Sequence, residues 1–276
     1  MPDENFMVTV EVVPPAGPDA APLLAELEPL VDLAFDAFSV ATNPVAKPRM
    51  SAMALSALLQ QKTGKSAILH CTTRDHNRLS LQGMLWGARA LGIATVLIAT
   101  GDVIALGDRA QTSSVRDLDV FDLVRMARSA GLRTGVVFDT HPESNGLEQA
   151  VRRLADKIEA GAQFAVTQPV YDEAAADHLF EATQSLDIPV ILGILPLRTA
   201  RHAEFLHRKV AGIAVPQAVR SRMQRAADPV AAGIANAGQM LALARRHLAG
   251  ACLMPPFDHY EVLFEILKDK DRNDGL

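Results

Sequence analysis

Short apolar runs rich in β-branched residues alternate along the chain with longer stretches whose apolar residues recur every three or four positions. The runs are Val8 to Val13, Ala37 to Thr42, Ser66 to Thr73, Thr95 to Thr100, Thr134 to Phe138, Phe164 to Thr167, Pro189 to Leu195 and Ala251 to Met254. Between them the spacing predicts helices: Pro22 to about Val31, Met50 to Gln61, and a segment with Leu81, Leu85, Ala88 and Leu91 on one face. Further helices are expected over Phe121 to Ala130, over a segment with Leu147, Val151, Leu154 and Ile158 on one side, and over Ala174 to Ser185, Ala203 to Val210 and His259 to Lys268. A helical insertion near 216–248 precedes the last strand.

Eight strand–helix beats, with strands apolar on both faces, predict an α/β protein: a single-domain (β/α)8 TIM barrel over residues 1–276. A doubly wound open sheet would give similar local signals. No GxGxxG follows any strand, however, and the first run ends in Pro14-Pro15 rather than in a glycine-rich turn. The 276 residues are 49% hydrophobic, enough for one large core without a disulfide or zinc staple; the two cysteines, Cys71 and Cys252, form no CxxC. A net charge of −5 with no basic block argues against nucleic acid. No apolar run reaches membrane-spanning length, and the acidic start is unlike a signal peptide, so a cytoplasmic protein is expected. Alanine-rich helix faces suggest a homo-oligomer.

Barrel chemistry gathers where strands end at their C-termini. Those ends carry Glu11, Thr42, His70 with Thr72, Asp102, Asp139 with His141, and Gln168. The later strands bring Leu195-Pro196 and Met254-Pro255-Pro256, so a polar half faces an apolar half, as suits a flat, partly aromatic ligand. Glu11 stands among valines; burial would raise its pKa and make it a general acid, although a structural Glu paired to an Arg or a backbone amide is an equal reading of the strand alone. Asp102 follows Gly101, which permits close backbone approach. No metal site is expected: His70 and His141 share neither an HxH strand nor a helix face at i, i+4. No lysine stands at a strand end, which argues against Schiff-base chemistry. Cys71 should point away from His70, as a buried structural thiol.

At these positions the chain resembles the methylenetetrahydrofolate reductase family. The matching stretches are Val10-Glu11-Val12-Val13-Pro14-Pro15, His70-Cys71-Thr72-Thr73-Arg74-Asp75, Ala90-Leu91-Gly92-Ile93, Thr100-Gly101-Asp102, Lys157 to Phe164, Thr167-Gln168-Pro169-Val170-Tyr171-Asp172, Gly193 to Leu197, and Met254-Pro255-Pro256-Phe257. The resemblance implies a flavin barrel in which NADH or NADPH reduces FAD, and methylenetetrahydrofolate is then reduced to methyltetrahydrofolate at the same flavin face. It makes Glu11 the acid that opens the methylene bridge, Asp102 a carboxylate near flavin and pterin, and Gln168 a folate contact, with Leu195 on the substrate's apolar side. Thr42, His70, Thr72 and His141 fall where flavin contacts are expected, and Lys157 where its phosphates are.

The resemblance departs at Ala150, Arg153 and Asp156 before Gly161, at Ala200 where some relatives carry an aromatic residue, and at Gly101-Asp102, which lacks a preceding Arg. Asp156 would repel a pyrophosphate unless it faces away or pairs with a neighbouring Arg, and these departures together lead to an expectation of weaker FAD binding or a changed cofactor arrangement. A second reading keeps folate or flavin binding without redox activity, in a methyl-transfer complex. A third, a metal-dependent hydrolase or lyase, rests only on the two histidines.

Overall fold

In the computed structural model, which describes residues 6–139, 146–210 and 212–273, eight parallel strands close into a barrel in sequence order, with β1 hydrogen-bonded to both β2 and β8. The strands are β1 (Met7–Val12), β2 (Ala37–Val40), β3 (Ser66–Thr72), β4 (Thr95–Ala99), β5 (Arg133–Phe138), β6 (Phe164–Pro169), β7 (Val190–Ile194) and β8 (Gly250–Leu253). The helices are α1 (Ala21–Leu27), α2 (Ala52–Thr63), α3 (Arg78–Ala90), α4 (Val120–Ser129), α5 (Leu147–Glu159), α6 (Glu173–Thr183), α7 (Ala200–Lys209), α8 (Gln217–Arg225), α9 (Pro229–His247) and α10 (Glu261–Asn273). This is a (β/α)8 TIM barrel, as the alternation of apolar runs predicts. Among the described residues no helix is long and apolar enough to cross a membrane.

Strand periodicity sorts the side chains into two cores. Val8, Val10 and Val12 of β1 and Leu69 and Cys71 of β3 point outward and are buried under the helices. Ala37, Ile68, Leu97, Val166, Ile191 and Cys252 point inward and fill the barrel. The same period of two puts Thr9 and Glu11 on the inner face of β1, and His70 and Thr72 on that of β3. Cys71 therefore lies on the opposite side from His70, buried and unpaired, as its sequence position requires. Inside, Gly135 of β5 makes room for the Phe164 ring, which would lie 2.2 Å from any Cβ there.

Local signals set the helix starts. Side chains of Ser51, Asn77, Asp119, Asp172, Thr199 and Asp228 each accept a hydrogen bond from the N–H three residues on, opening α2, α3, α4, α6, α7 and α9. The region expected to be helical near 216–248 is the pair α8 and α9, separated by a turn at Ala226 to Asp228. Helix α9 packs against the segment after β7 so closely that a Cβ on Gly233 would lie 1.7 Å from the Leu197 carbonyl oxygen. Gly233→Ala must then push the helix off the barrel. The expected cost is about 3 kcal/mol, a fall of roughly 6–10 °C in Tm, measured by thermal denaturation; an unchanged Tm would contradict this packing.

Candidate functional site

A cavity of about 740 Å³ opens at the C-terminal ends of the strands. Glu11, Thr42, His70, Thr72, Asp102, Lys157, Gln168 and Leu195, all named from the sequence, line it together with Asp139. His141 lies outside the described residues. The polar and apolar halves are both present: Glu11, His70 and Asp102 face Leu195, Leu206, Ile213 and Met254. Among the described residues, no three His, Cys, Asp or Glu side chains come together in a way that could hold a metal ion.

Glu11 sits on the inner face of β1 with its carboxyl turned to the cavity floor. Burial, reinforced by the negative charge of Asp102, pushes its pKa up to about 7. Among the described residues no ion pair joins it to an arginine. Next to it in register, Ser39 of β2 makes a 2.7 Å hydrogen bond with His70 Nε2. Burial pulls His70 down to about 4, so near neutral pH it is an uncharged imidazole and not an acid. The mouth therefore sets a carboxyl that holds its proton up to about pH 7 beside a neutral hydrogen-bonding ring.

Asp102 is exposed at the rim, held by Arg74. The Arg74 guanidinium makes a two-pronged pair with Asp75, 2.6 Å from Nε to Oδ1 and 2.7 Å from Nη2 to Oδ2. It also donates to the carbonyls of Asp102 and Asn43, each at 3.1 Å. Burial alone would raise the Asp75 carboxyl, but hydrogen bonds from Arg74, Asn43 and Thr72 outweigh it and hold the group below the usual carboxylate range. One buried cation thus ties together the loops after β2, β3 and β4. Gly101 is the position where this approach needs glycine: its φ is 91°, and a Cβ would lie 3.0 Å from that of Arg74. The Asp102 carboxylate in turn accepts the N–H of Val45.

On the far wall, Ala150, Arg153 and Lys157 line the cavity from one face of α5. Asp156 is exposed and turned away, so the repulsion expected from the sequence is not at work. Burial, together with the charge of Arg153, lowers Lys157 to about 8 against the opposing pull of Asp139; its Nζ donates to the Val137 carbonyl at 2.7 Å. Ala200 opens α7 and is not part of the cavity wall. Gln168 is positioned by an irregularity between β6 and β7, where Thr167 Oγ1 accepts the Gly193 N–H at 2.9 Å and donates to the Gln168 carbonyl.

The site also contains residues that the strand-end rule does not reach. Arg49, His202 and Phe257 line it from loops and from α7. The shared helix face of Arg153 and Lys157, four residues apart, was the available sequence signal for the α5 wall; for Phe257 it was the family-like stretch Met254-Pro255-Pro256-Phe257 after β8.

The structure is a TIM barrel whose strand-end cavity is lined by Glu11 of β1 and by Arg153 and Lys157 of α5. The sequence model of the methylenetetrahydrofolate reductase family matches residues 1–246, and the chain belongs to that family. It is 24% identical over 156 residues to a probable methylenetetrahydrofolate reductase (NADPH) of Caenorhabditis elegans, covering 53% of this chain and 23% of that protein. With the 5,10-methylenetetrahydrofolate reductase of Pectobacterium carotovorum subsp. carotovorum it shares 25% over 144 residues, 50% of this chain and 46% of the other. With methylenetetrahydrofolate reductase 2 of Schizosaccharomyces pombe it shares 27% over 203 residues, 67% and 31%. The matches thus span less than half the length of these curated relatives. Among solved structures, an uncharacterized protein from Clostridium thermocellum that binds two copies of 5-methyl-5,6,7,8-tetrahydrofolic acid superposes with a TM-score of 0.69 at 15% identity, covering 96% of this chain and 95% of that one. A 2,3-dimethylmalate lyase superposes with a TM-score of 0.54 at 15% identity, over 100% and 82%; at such identities the likeness is one of fold.

Two outcomes test this geometry. Unfolded Glu11 ionises near 4.5 and folded Glu11 near 7, so the folded state binds the extra proton and stability falls as pH rises through that window. His70 works in the opposite sense below its ordinary value of 6.5, so the comparison must be between wild type and Glu11→Gln. The variant's Tm should gain on wild type steadily from pH 4.5 to pH 7 and then level off; a constant difference would refute the burial of a neutral acid. Arg74→Met, which strands the carboxylate of Asp75, should cost about 3 kcal/mol and speed proteolysis between residues 103 and 119, where Val115 N–H donates to the Arg74 carbonyl.

Proposed function

We propose that this member of the methylenetetrahydrofolate reductase family reduces 5,10-methylenetetrahydrofolate to 5-methyltetrahydrofolate in the cytoplasm, with NADH or NADPH as the electron source and FAD as the carrier. The observation that carries the reading is Glu11: a carboxyl group in the cavity, still protonated near neutral pH, with no ion-pair partner among the described residues. FAD, when bound, supplies the hydride transfer.

The residues at hand suit such a group. Arg153 and Lys157 supply cationic donors on one face of α5, Ala150 leaves space beside them, and Gly146 opens that helix without a side-chain cap, so its first N–H groups are free for an anion. Thr42, His70 and Thr72 offer uncharged polar contacts for a ring system. Asp156 presents no obstacle, and the expectation of weak FAD binding loses that support. Lys157 keeps most of its positive charge at pH 7, since its pKa lies near 8.

In this reading the protein's own work is proton placement and orientation. Glu11 donates its proton to the outer nitrogen of the methylene bridge; the bond from that nitrogen to the bridge carbon breaks, leaving an electrophilic iminium that takes up hydride to become the methyl group. Gln168, on the cavity wall, orients the pterin edge. Asp102 favours the positive iminium as it forms and keeps Glu11 protonated until then. Leu195 and Met254 keep water from the bridge. A folate-binding relative without redox activity would have no use for a half-buried acid on the cavity wall, whose desolvation costs stability.

An absorption titration with FAD, followed by anaerobic addition of NADH or NADPH, tests the reading. Flavin bleaching and its return on adding methylenetetrahydrofolate are expected. Glu11→Gln should bleach at the wild-type rate and return at least about 100-fold more slowly. The wild-type folate step should slow above about pH 7, as Glu11 loses its proton. Equal loss of both halves in Glu11→Gln would remove the acid's assigned role.

A further inference from the structure

Five non-glycine residues among those described adopt left-handed backbone angles: Asn43, Val45, Ala46, Phe257 and Asp258. They occupy two loops, one after β2 and one after β8. Both strands are hydrogen-bonded to β1, so the two strained loops flank the strand that carries Glu11. Left-handed angles disfavour residues with a Cβ and persist only where surrounding structure imposes them. At the β8 loop the constraints are visible. Buried Pro255 and Pro256 lead in, and the buried Tyr260 follows, its hydroxyl accepting the Val13 N–H at 3.2 Å from the end of β1.

That fixed loop holds Phe257 at φ 54° with 60% of its surface exposed, on the wall of the cavity. The ring is braced on one side: its centroid lies 4.6 Å from that of His202 and 5.9 Å from that of Phe205, both on α7. His202 is itself fixed, its Nδ1 accepting the Arg198 N–H at 3.3 Å. A large apolar side chain held out to solvent by a strained, doubly anchored backbone gains nothing from burial in the free protein. A flat ring laid on its open face would supply the missing contact.

We propose that Phe257 is the ring-stacking residue of the substrate site, receiving an aromatic ring of the folate on the side of the cavity nearest Glu11. The proposal rests on the folate reading above and adds to it the residue that sets the substrate's position. It requires an aromatic side chain at 257, since a merely apolar one lacks the flat π face.

Calorimetric titration with 5-methyltetrahydrofolate of wild type, Phe257→Ala, Phe257→Leu and Phe257→Trp is the test. Stacking predicts binding about tenfold weaker for the Ala and Leu variants and near wild type for Trp, whose fluorescence should be quenched by the ligand. Melting curves identify any variant that fails to fold, and Leu, close to Phe in bulk, then stands in for Ala. If wild type does not bind the folate, the functional reading falls and this proposal with it. Should wild type bind while Ala binds within about twofold of it, or Leu match wild type, stacking by Phe257 is overturned and the folate reading stands.

Discussion

The mouth of this barrel depends on the paired contact between Arg74 and Asp75. Closing eight parallel strands brings eight loops to one end, and nothing in strand pairing fixes how they lie. A guanidinium that satisfies a carboxylate with two parallel hydrogen bonds, and still has donors left for the carbonyls of Asn43 and Asp102, joins three of those loops in one rigid group. With the Arg74 side chain only 5% exposed, the pair sits in a low-dielectric setting, where leaving any of these groups unpaired would be costly. Asp102 owes its place at the rim, and so its influence on Glu11, to this anchor.

From that placement follows the separation of charge states on which the proposed chemistry relies. Glu11 is half-buried and, among the described residues, has no cationic partner, and it stays protonated to about pH 7; His70, half-buried nearby, stays neutral down to about 4. The cationic groups, Arg153 and Lys157, stand on the far wall. A donor of protons, a neutral hydrogen-bonding ring and a positive wall are thus kept apart by the barrel's own diameter, each tuned by its surroundings and not by residue type. The two strained loops on either side of β1 belong to the same design: backbone held away from its preferred angles displays Val45 and Phe257 at the mouth, where relaxed loops would tuck them in.

Much of the barrel could be read from the chain because its signals are local. Alternation in Val8-Thr9-Val10-Glu11-Val12 shows that the carboxylate lies on the face opposite three valines, and closure of the barrel makes that the inside. The capping residues before α2, α3, α4, α6, α7 and α9 are equally local, since each acts within one helical turn. Strand-end counting found the polar residues of the cavity for the same reason: every βα junction presents its last inward side chain to a common mouth. The direction of Asp156 lay beyond such counting, because whether a helical residue faces barrel or solvent depends on the rotation of α5, which Leu154 sets by packing into the core.

Fold class and the inward direction of Glu11, His70 and Gln168 were therefore present in the order of residues alone, carried by periodicities of two and of three to four, while the likeness to a reductase family lay in short motifs such as Thr167-Gln168-Pro169-Val170-Tyr171-Asp172. Only the folded chain decided that Arg74 would join loops 31 and 28 residues away from it in sequence, that Glu11 would have no cationic partner among the described residues, and that Phe257 would stand exposed on a strained loop at the same cavity. Those outcomes arise from contacts between segments distant along the chain, whose energies depend on burial and on mutual orientation, and neither quantity exists until the barrel has closed.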